Sequence, residues 1–442
     1  MLTLHGQKLT CCDGIPRRSF LKAGFLGLAG LSLPQALQAR AAAAVGGQEV
    51  RKTSVILVNL LGGPSQFETY DPKPDAPSEY RGHFEALKTN VPGVWFSELM
   101  AKQAKVMDKM AIVRSISGSQ SHHWLANHQL QTGVPGRLDA WRNTLPSMGS
   151  VTARVRGANA KGVPAYSIIS KGRSDATLQG TGAYLGRAFD PFVINGDPNS
   201  KDFKIRDLSL TANLSVERLE DRRRLLRSID STRRAVDQNA ESLDQFTAQA
   251  FDLVTGDRAQ KAFDIGQELP GVRDLYGRTQ VGQSLLLARR LVEAGVTFVT
   301  VALYNWDDHN IIKPKMERRA PAYDQGMAAL VSDLYDRGLD RDVLVVAMGE
   351  FGRTPKINAN EGRDHWAPVM SVLFSGGGMK VGQVVGASNR RGEEPVDAPY
   401  SPHCVLRTMY HHLGVDPSMT FDDLAGRPRY LLEHGEVIKE LI

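Results

Sequence analysis

Three short stretches in the C-terminal half of the chain concentrate carboxylates and imidazoles: Trp306-Asp307-Asp308-His309, Gly349-Glu350-Phe351-Gly352-Arg353-Thr354 and Gly362-Arg363-Asp364-His365-Trp366. These are the side chains that hold Zn²⁺, Mn²⁺ or Ca²⁺. In an extended segment successive side chains alternate, so Asp307 and His309 share a face while Asp308 turns away. Glu350 closes an apolar run and either ligates a metal or pairs with Arg353, whose guanidinium can also grip a substrate oxyanion at two points. Asp364 and His365 lie in a polar loop between Gly362 and Trp366, the kind of segment that carries function. Singly, each residue has a plain structural explanation: a helix-capping aspartate, an ion pair, a surface loop. Their succession along one chain favours a metal site, and the chemistry that suits it is hydrolysis of an ester of an oxyacid.

The N-terminal half adds hydroxyls and further imidazoles. Ser119 and Ser121 are candidate nucleophiles, because a metal or imidazole beside a serine helps remove its proton. Ser121 reads equally well as a helix cap. His122, His123 and His128 lie close by, and His122 joins Asp307, His309, Glu350, Asp364 and His365 in the expected ligand set. Ser65, Gln66, Glu68 and Asp71 follow the first strand and can also supply a ligand, although Asp71-Pro72-Lys73-Pro74 makes a good turn by itself.

Two of the acidic clusters follow β-branched apolar runs, 299–303 and 343–347. Strands are expected at 53–60, 111–116, 165–170, 297–303, 342–348 and 369–375. Helices are expected at 97–109, 121–131, 146–156, 282–294, 321–337 and 402–413. Alternation of this kind predicts a parallel sheet with helices on both faces, and ligands at the carboxyl ends of its strands would converge on one rim. Between about 215 and 254 a charged stretch with a broken apolar stripe predicts a long helical excursion packed on the body, Arg222-Arg223-Arg224 included.

The first residues read as an address rather than as structure. Arg17-Arg18-Ser19-Phe20-Leu21-Lys22 is a twin-arginine signal ahead of the short apolar run 23–33, and Ala39-Arg40-Ala41 or Ala42-Ala43-Ala44 offers a cleavage site. Residues 1–44 are therefore expected to be a signal peptide handed to the twin-arginine translocase, and 45–442 a single domain in the periplasm or outside the cell. The apolar run is too short to span a bilayer, so no stable membrane span is expected. Of 54 basic and 48 acidic residues, five and one fall in the leader, which leaves +2 of the formal +6 on the remainder. That balance gives no reason to expect nucleic-acid binding. Cys11 and Cys12 go with the leader, and Cys404 alone cannot form an intrachain disulfide or a multi-cysteine zinc site.

With these residues in view the chain resembles the DUF1501 family of exported proteins, within the alkaline phosphatase/sulfatase-like superfamily. The segments that carry the resemblance are 62–66 and on through 71–74, Ser121-His122-His123, 306–309, 349–355, 362–366 and 376–378. It implies an alkaline phosphatase-like fold, a three-layer αβα sandwich with a mainly parallel central sheet, and a di-metal phosphatase or sulfatase ancestry. By position, Asp307 and His309 look like the superfamily's Asp/His pair for one metal, and His365 resembles its late histidine ligand. Glu350 falls where those enzymes place an Asp-His pair, with Phe351 in the place of the histidine. Their first strand ends in a metal-binding Asp; here it ends Asn59-Leu60-Leu61-Gly62, with Gln66 or Glu68 as substitutes. Two functions follow as expectations. One is an exported hydrolase using a divalent metal (Zn, Ca or Mn) on a sulfated or phosphorylated small molecule or glycan. The other is a non-catalytic binding or scaffold protein on the same fold with a degenerate metal site.

Overall fold

A strand covered on both faces need not alternate apolar with polar residues, and Ser54–Leu60 (β1) does not: all seven residues are buried. The computed structural model describes residues 52–138, 144–171, 180–205 and 256–442, with Arg218, Asp221 and Leu253 besides. The expected leader, and the expected excursion at 215–254 apart from those three residues, lie outside the described residues. The elements that matter for the site are, in chain order, β2 (Met110–Ile116), α1 (His123–Thr132), α2 (Met148–Arg156), β3 (Tyr166–Ser170), β4 (Phe192–Asn195), α3 (Gln280–Ala294), β5 (Phe298–Leu303), α4 (Ile312–Asp336), β6 (Val343–Met348), β7 (Gly352–Arg353), β8 (His365–Trp366), β9 (Met370–Gly376), β10 (Gln383–Val385) and α5 (Pro402–Leu413).

Eight strands form one sheet in the order β10-β2-β9-β6-β1-β5-β3-β4. β1 pairs in parallel with β5 and β6, and the parallel run continues through β3 to β4. β9 is antiparallel to both of its neighbours, β6 and β2. Successive residues of β1 feed opposite layers, as the pleat requires. Ile56, Val58 and Leu60 pack with Leu285, Leu286 and Leu291 of α3 and with Tyr323, Met327 and Leu330 of α4. Val55 and Leu57 pack on the other side with Leu130 of α1, Val151 of α2 and Val405, Leu406 and Met409 of α5. This is the expected three-layer αβα arrangement with a mainly parallel sheet. Each aliphatic side chain so buried contributes roughly 1.5–3 kcal/mol, and the two layers together fix the sheet that carries the site. Among the described residues no helix is long and apolar enough to cross a membrane.

Four local expectations are corrected. Residues 97–109 form short 3-10 segments, Glu98–Met100 and Gln103–Lys109, the second broken by a kink at Val106, rather than one helix. The backbone N–H groups of Lys102 and Gln103 donate to the Asp324 carboxylate at 2.8 Å each, so they are withdrawn from a continuous helical ladder. α4 begins at Ile312, nine residues before the expected start, and runs through Pro321. Buried Ile312, Met316, Ala320, Tyr323 and Met327 recur at helical spacing, and that packing outweighs the donor missing at proline. β9 is antiparallel because the chain returns from β6 through the short β7–β8 hairpin, with no crossover helix of the kind a parallel neighbour needs. β4 and β10, the two edge strands of the sheet, were not expected at all.

Candidate functional site

The loops that leave β1, β2, β5 and β6 emerge at the carboxyl ends of those strands, and the β7–β8 hairpin folds over the same rim. After β5 the chain turns through Asn305, which has a positive φ, and buries Trp306. The Trp306 N–H donates to the Leu61 carbonyl at 3.0 Å. Gly62, at φ +114°, lies flat against this turn: a Cβ there would sit 2.5 Å from the Asp307 nitrogen. Its N–H donates to Glu350 Oε1 at 2.9 Å, which ties the ends of β1 and β6 together. Gly362 makes an equally close approach, since a Cβ there would lie 2.1 Å from the carbonyl carbon of His309.

Arg353 is fully buried and fastens these loops from below. Nε donates to the Gly63 carbonyl at 2.8 Å and Nη1 to the Arg363 carbonyl at 3.0 Å. Nη2 reaches the carbonyls of Gly62 and Trp306 and the Asp307 carboxylate. The guanidinium expected to grip an oxyanion is thus turned inward, where it positions Asp307. Gln66 exchanges two 2.9 Å hydrogen bonds with the Arg353 backbone, and Glu68 accepts from buried Arg363 at 3.0 Å. Asp71 accepts from Ser388 Oγ and from Lys73. The acids and amide that follow β1 therefore serve the frame. Asp308 faces away from Asp307 into an ion pair with Arg319.

Above this frame three imidazoles converge on Asp307. His309 Nε2 lies 3.0 Å and His365 Nε2 3.2 Å from Asp307 Oδ1, with 3.0 Å between the two nitrogens. His123 Nε2 lies 3.2 Å from Asp307 Oδ2. In each ring the other nitrogen is committed. His309 Nδ1 donates to Asp364 at 2.6 Å, His365 Nδ1 to the Ser121 carbonyl at 2.7 Å, and His123 Nδ1 to Glu350 at 2.6 Å. Phe351, buried, stacks against His365 and His123 with ring centroids 4.4 and 5.1 Å away. The side chains of His123, Asp307 and His309 keep 40%, 42% and 42% of their surface exposed, so solvent reaches the cluster.

Electrostatics sharpen the arrangement. Partial burial alone would raise the Asp307 carboxyl, but hydrogen bonds from His123, His365 and Arg353 hold it far below the usual carboxylate range. Burial alone would lower His123, yet its bonds to Asp307 and Glu350 outweigh that and raise it to about 9. The His309 hydrogen bond holds Asp364 low as well.

Ligand atoms of His123, Asp307 and His365 all lie within 4.8 Å of one another and could hold a metal ion. Two donors ~2.0–2.1 Å from a tetrahedral ion stand about 3.3 Å apart, close to the spacing of Asp307 Oδ1, His309 Nε2 and His365 Nε2. Binding each Nδ1 to a fixed acceptor is how proteins aim Nε2 at a metal. Imidazole with carboxylate suits zinc or manganese, whereas calcium takes six to eight oxygens.

The expected ligands are therefore placed in two positions: Asp307, His309 and His365 point inward, while Glu350 and Asp364 hold imidazoles from behind. His122 is exposed at the N-cap of α1. His123 is the residue the sequence expectation passed over. Its helical spacing to buried Asn127 and Leu130 puts it on the sheet side of α1, a signal present in the sequence. Ser121 enters through its carbonyl, with its side chain exposed, and Ser119 is exposed two residues earlier.

No curated protein matches the chain. Among solved structures it is similar to the PsFucS1 sulfatase from Pseudoalteromonas sp., at 13% identity and TM-score 0.40 over 86% of this chain and 71% of that one. The phosphonate monoester hydrolase of Agrobacterium radiobacter is 10% identical, with TM-score 0.36 over 88% and 77%. The C-terminal periplasmic domain of EcEptC from Escherichia coli is 10% identical, with TM-score 0.38 over 84% and 86%. Residues 52–442 match the family described as "Protein of unknown function (DUF1501)", and the chain belongs to that family.

Proposed function

We propose that the rim cluster holds one divalent metal ion, zinc or manganese, and that the protein hydrolyses sulfate or phosphate esters after export by the twin-arginine translocase to the periplasm or beyond. The observation that carries this is the commitment of Nδ1 in His123, His309 and His365, which leaves three Nε2 atoms directed at one ionised carboxylate. Asp307, His309 and His365 would ligate, with His123 as a fourth donor. A cation there would supply Lewis-acid polarisation of the ester oxygen. The chain's own residues do the rest. Arg353 fixes Asp307, Asp364 and Glu350 fix two rings, and the nucleophile would be the hydroxyl of Ser121, whose carbonyl binds His365, that of Ser119, or a water. Sulfated or phosphorylated small molecules and glycans are the substrates in view.

Elemental analysis of the purified protein, with turnover of 4-nitrophenyl sulfate and 4-nitrophenyl phosphate by wild type and His309→Ala, tests the proposal. One bound metal and ester turnover are expected, both lost in the variant. Protein that takes up no metal and turns over neither ester would sink it.

A second function is favoured by two specific residues. Phe351 fills the place where the resemblance expects a histidine, and Asn59, buried against Asn127, fills that of an aspartate. A protein on this fold with one metal and no catalysis would be a binding or scaffold component, and it would show metal without turnover in the same assay.

A further inference from the structure

Beside the cluster lies a cavity of about 530 Å³ whose wall includes Asp307. It sits at the carboxyl ends of β3 and β5 and reaches across to α4, which supplies Lys315, Arg318 and Arg319. Its volume is within the ~300–1,000 Å³ of pockets that hold a small organic ligand. Four cations and two acids line it. Arg319 is paired with Asp308 and Asp307 with Arg353, while Lys315 donates to Asn310. Lys171 and Arg318 are exposed and make no ion pair or hydrogen bond among the described residues. The wall between them is stiff: the Arg319 guanidinium lies 4.6 Å from the ring centre of buried Trp306, and Tyr304 and Ser170 hydroxyls bond at 2.9 Å. Free cations on a concave wall raise the local concentration of anions more than the same cations on a flat surface.

We infer that this cavity receives the organic part of the ester and that this part carries a negative charge of its own, so that the substrate is a dianion or polyanion. Lys171 and Arg318 would recognise the second anionic group, a sulfate, phosphate or carboxylate. The inference rests on the cluster being an ester-hydrolysing centre and names the substrate class for it.

Two sugar esters that differ in one charge test it. N-acetylglucosamine 6-sulfate carries one anion and N-sulfoglucosamine 6-sulfate two. Their binding to the full-length, zinc-loaded protein is measured by titration calorimetry at low salt, for wild type and for the double variant Lys171→Gln, Arg318→Gln. Wild type is expected to bind the dianion at least about tenfold more tightly, since charge-assisted hydrogen bonds are the strong ones. The double variant is expected to bring that ratio within about twofold, because only the second anion makes direct charge-assisted contacts with these cations. Both positions are exposed, so folding is not at stake. Equal binding of the two sugars by wild type, a ratio that survives in the variant, or no binding of either overturns the inference. Turnover of the same sugars reports on the underlying chemistry separately. Dianion preference without turnover removes the hydrolase and keeps the anion pocket; turnover without preference does the reverse.

Discussion

An imidazole whose Nδ1–H is already donated presents a fixed lone pair at Nε2, and a carboxylate behind it makes that lone pair more basic. Asp364 does this for His309. It is exposed, so Asp364→Ala leaves folding nearly untouched while weakening metal affinity by about 10–100-fold. Competition against a chromophoric chelator reads the effect, and an unchanged affinity would show that Asp364 does not hold a ligand. His123 adds a pH dependence. In the metal-free protein it is raised to about 9 because its bonds to Asp307 and Glu350 outweigh burial. That shift stabilises the fold in full below the ordinary histidine value of ~6.5 and is lost as pH rises through 9. A metal takes the neutral ring, so below pH 9 it must displace a proton. Apparent affinity should therefore climb about tenfold per pH unit from 7 to 9 and then level. A flat profile in the same competition assay would remove His123 from the ligand set.

At the scale of elements, the site depends on how closely the loops after β1 and β5 pass each other. Gly62→Ala places a Cβ 2.5 Å from the Asp307 nitrogen at a φ of +114° that side chains rarely adopt. Backbone strain and overpacking together should cost about 2–4 kcal/mol in denaturant unfolding, and the displaced Asp307 should weaken metal binding in the same variant. Loss of neither would mean that the two loops can separate without consequence. Much of this scaffold is legible in the sequence, because β1, β5, β6 and α5 are continuous or periodic apolar runs whose burial pattern leaves little choice. What escapes notice depends on distant partners. The break in 97–109 comes from Asp324, more than 200 residues away, and the direction of β9 comes from a hairpin too short to show a strand pattern. Asp307, His309 and His365 were readable from type and spacing. Choosing His123 over His122 required the helix register, and the inward turn of Arg353 required knowing which carbonyls surround it.

Over the whole molecule, every group of the cluster comes from one rim of the sheet, yet from segments as far apart as His123 and His365. The proposed ligand set therefore exists only in the folded protein. This gives the proposed export route a physical meaning: a metal that must enter a finished site is best loaded where its supply is controlled, before the folded chain crosses the membrane. Twin-arginine export accepts folded cargo, and Arg17 and Arg18 are the proposed motif for it. Replacing both with lysine keeps the charge and the apolar run 23–33 but removes the pair that the proposed route requires. Cell fractionation should then find the protein retained inside with its metal bound, whereas the wild-type leader delivers metal-loaded protein outside. Export of the lysine variant at the wild-type level would show instead a general basic-apolar leader, with the chain crossing unfolded and collecting its metal on the far side.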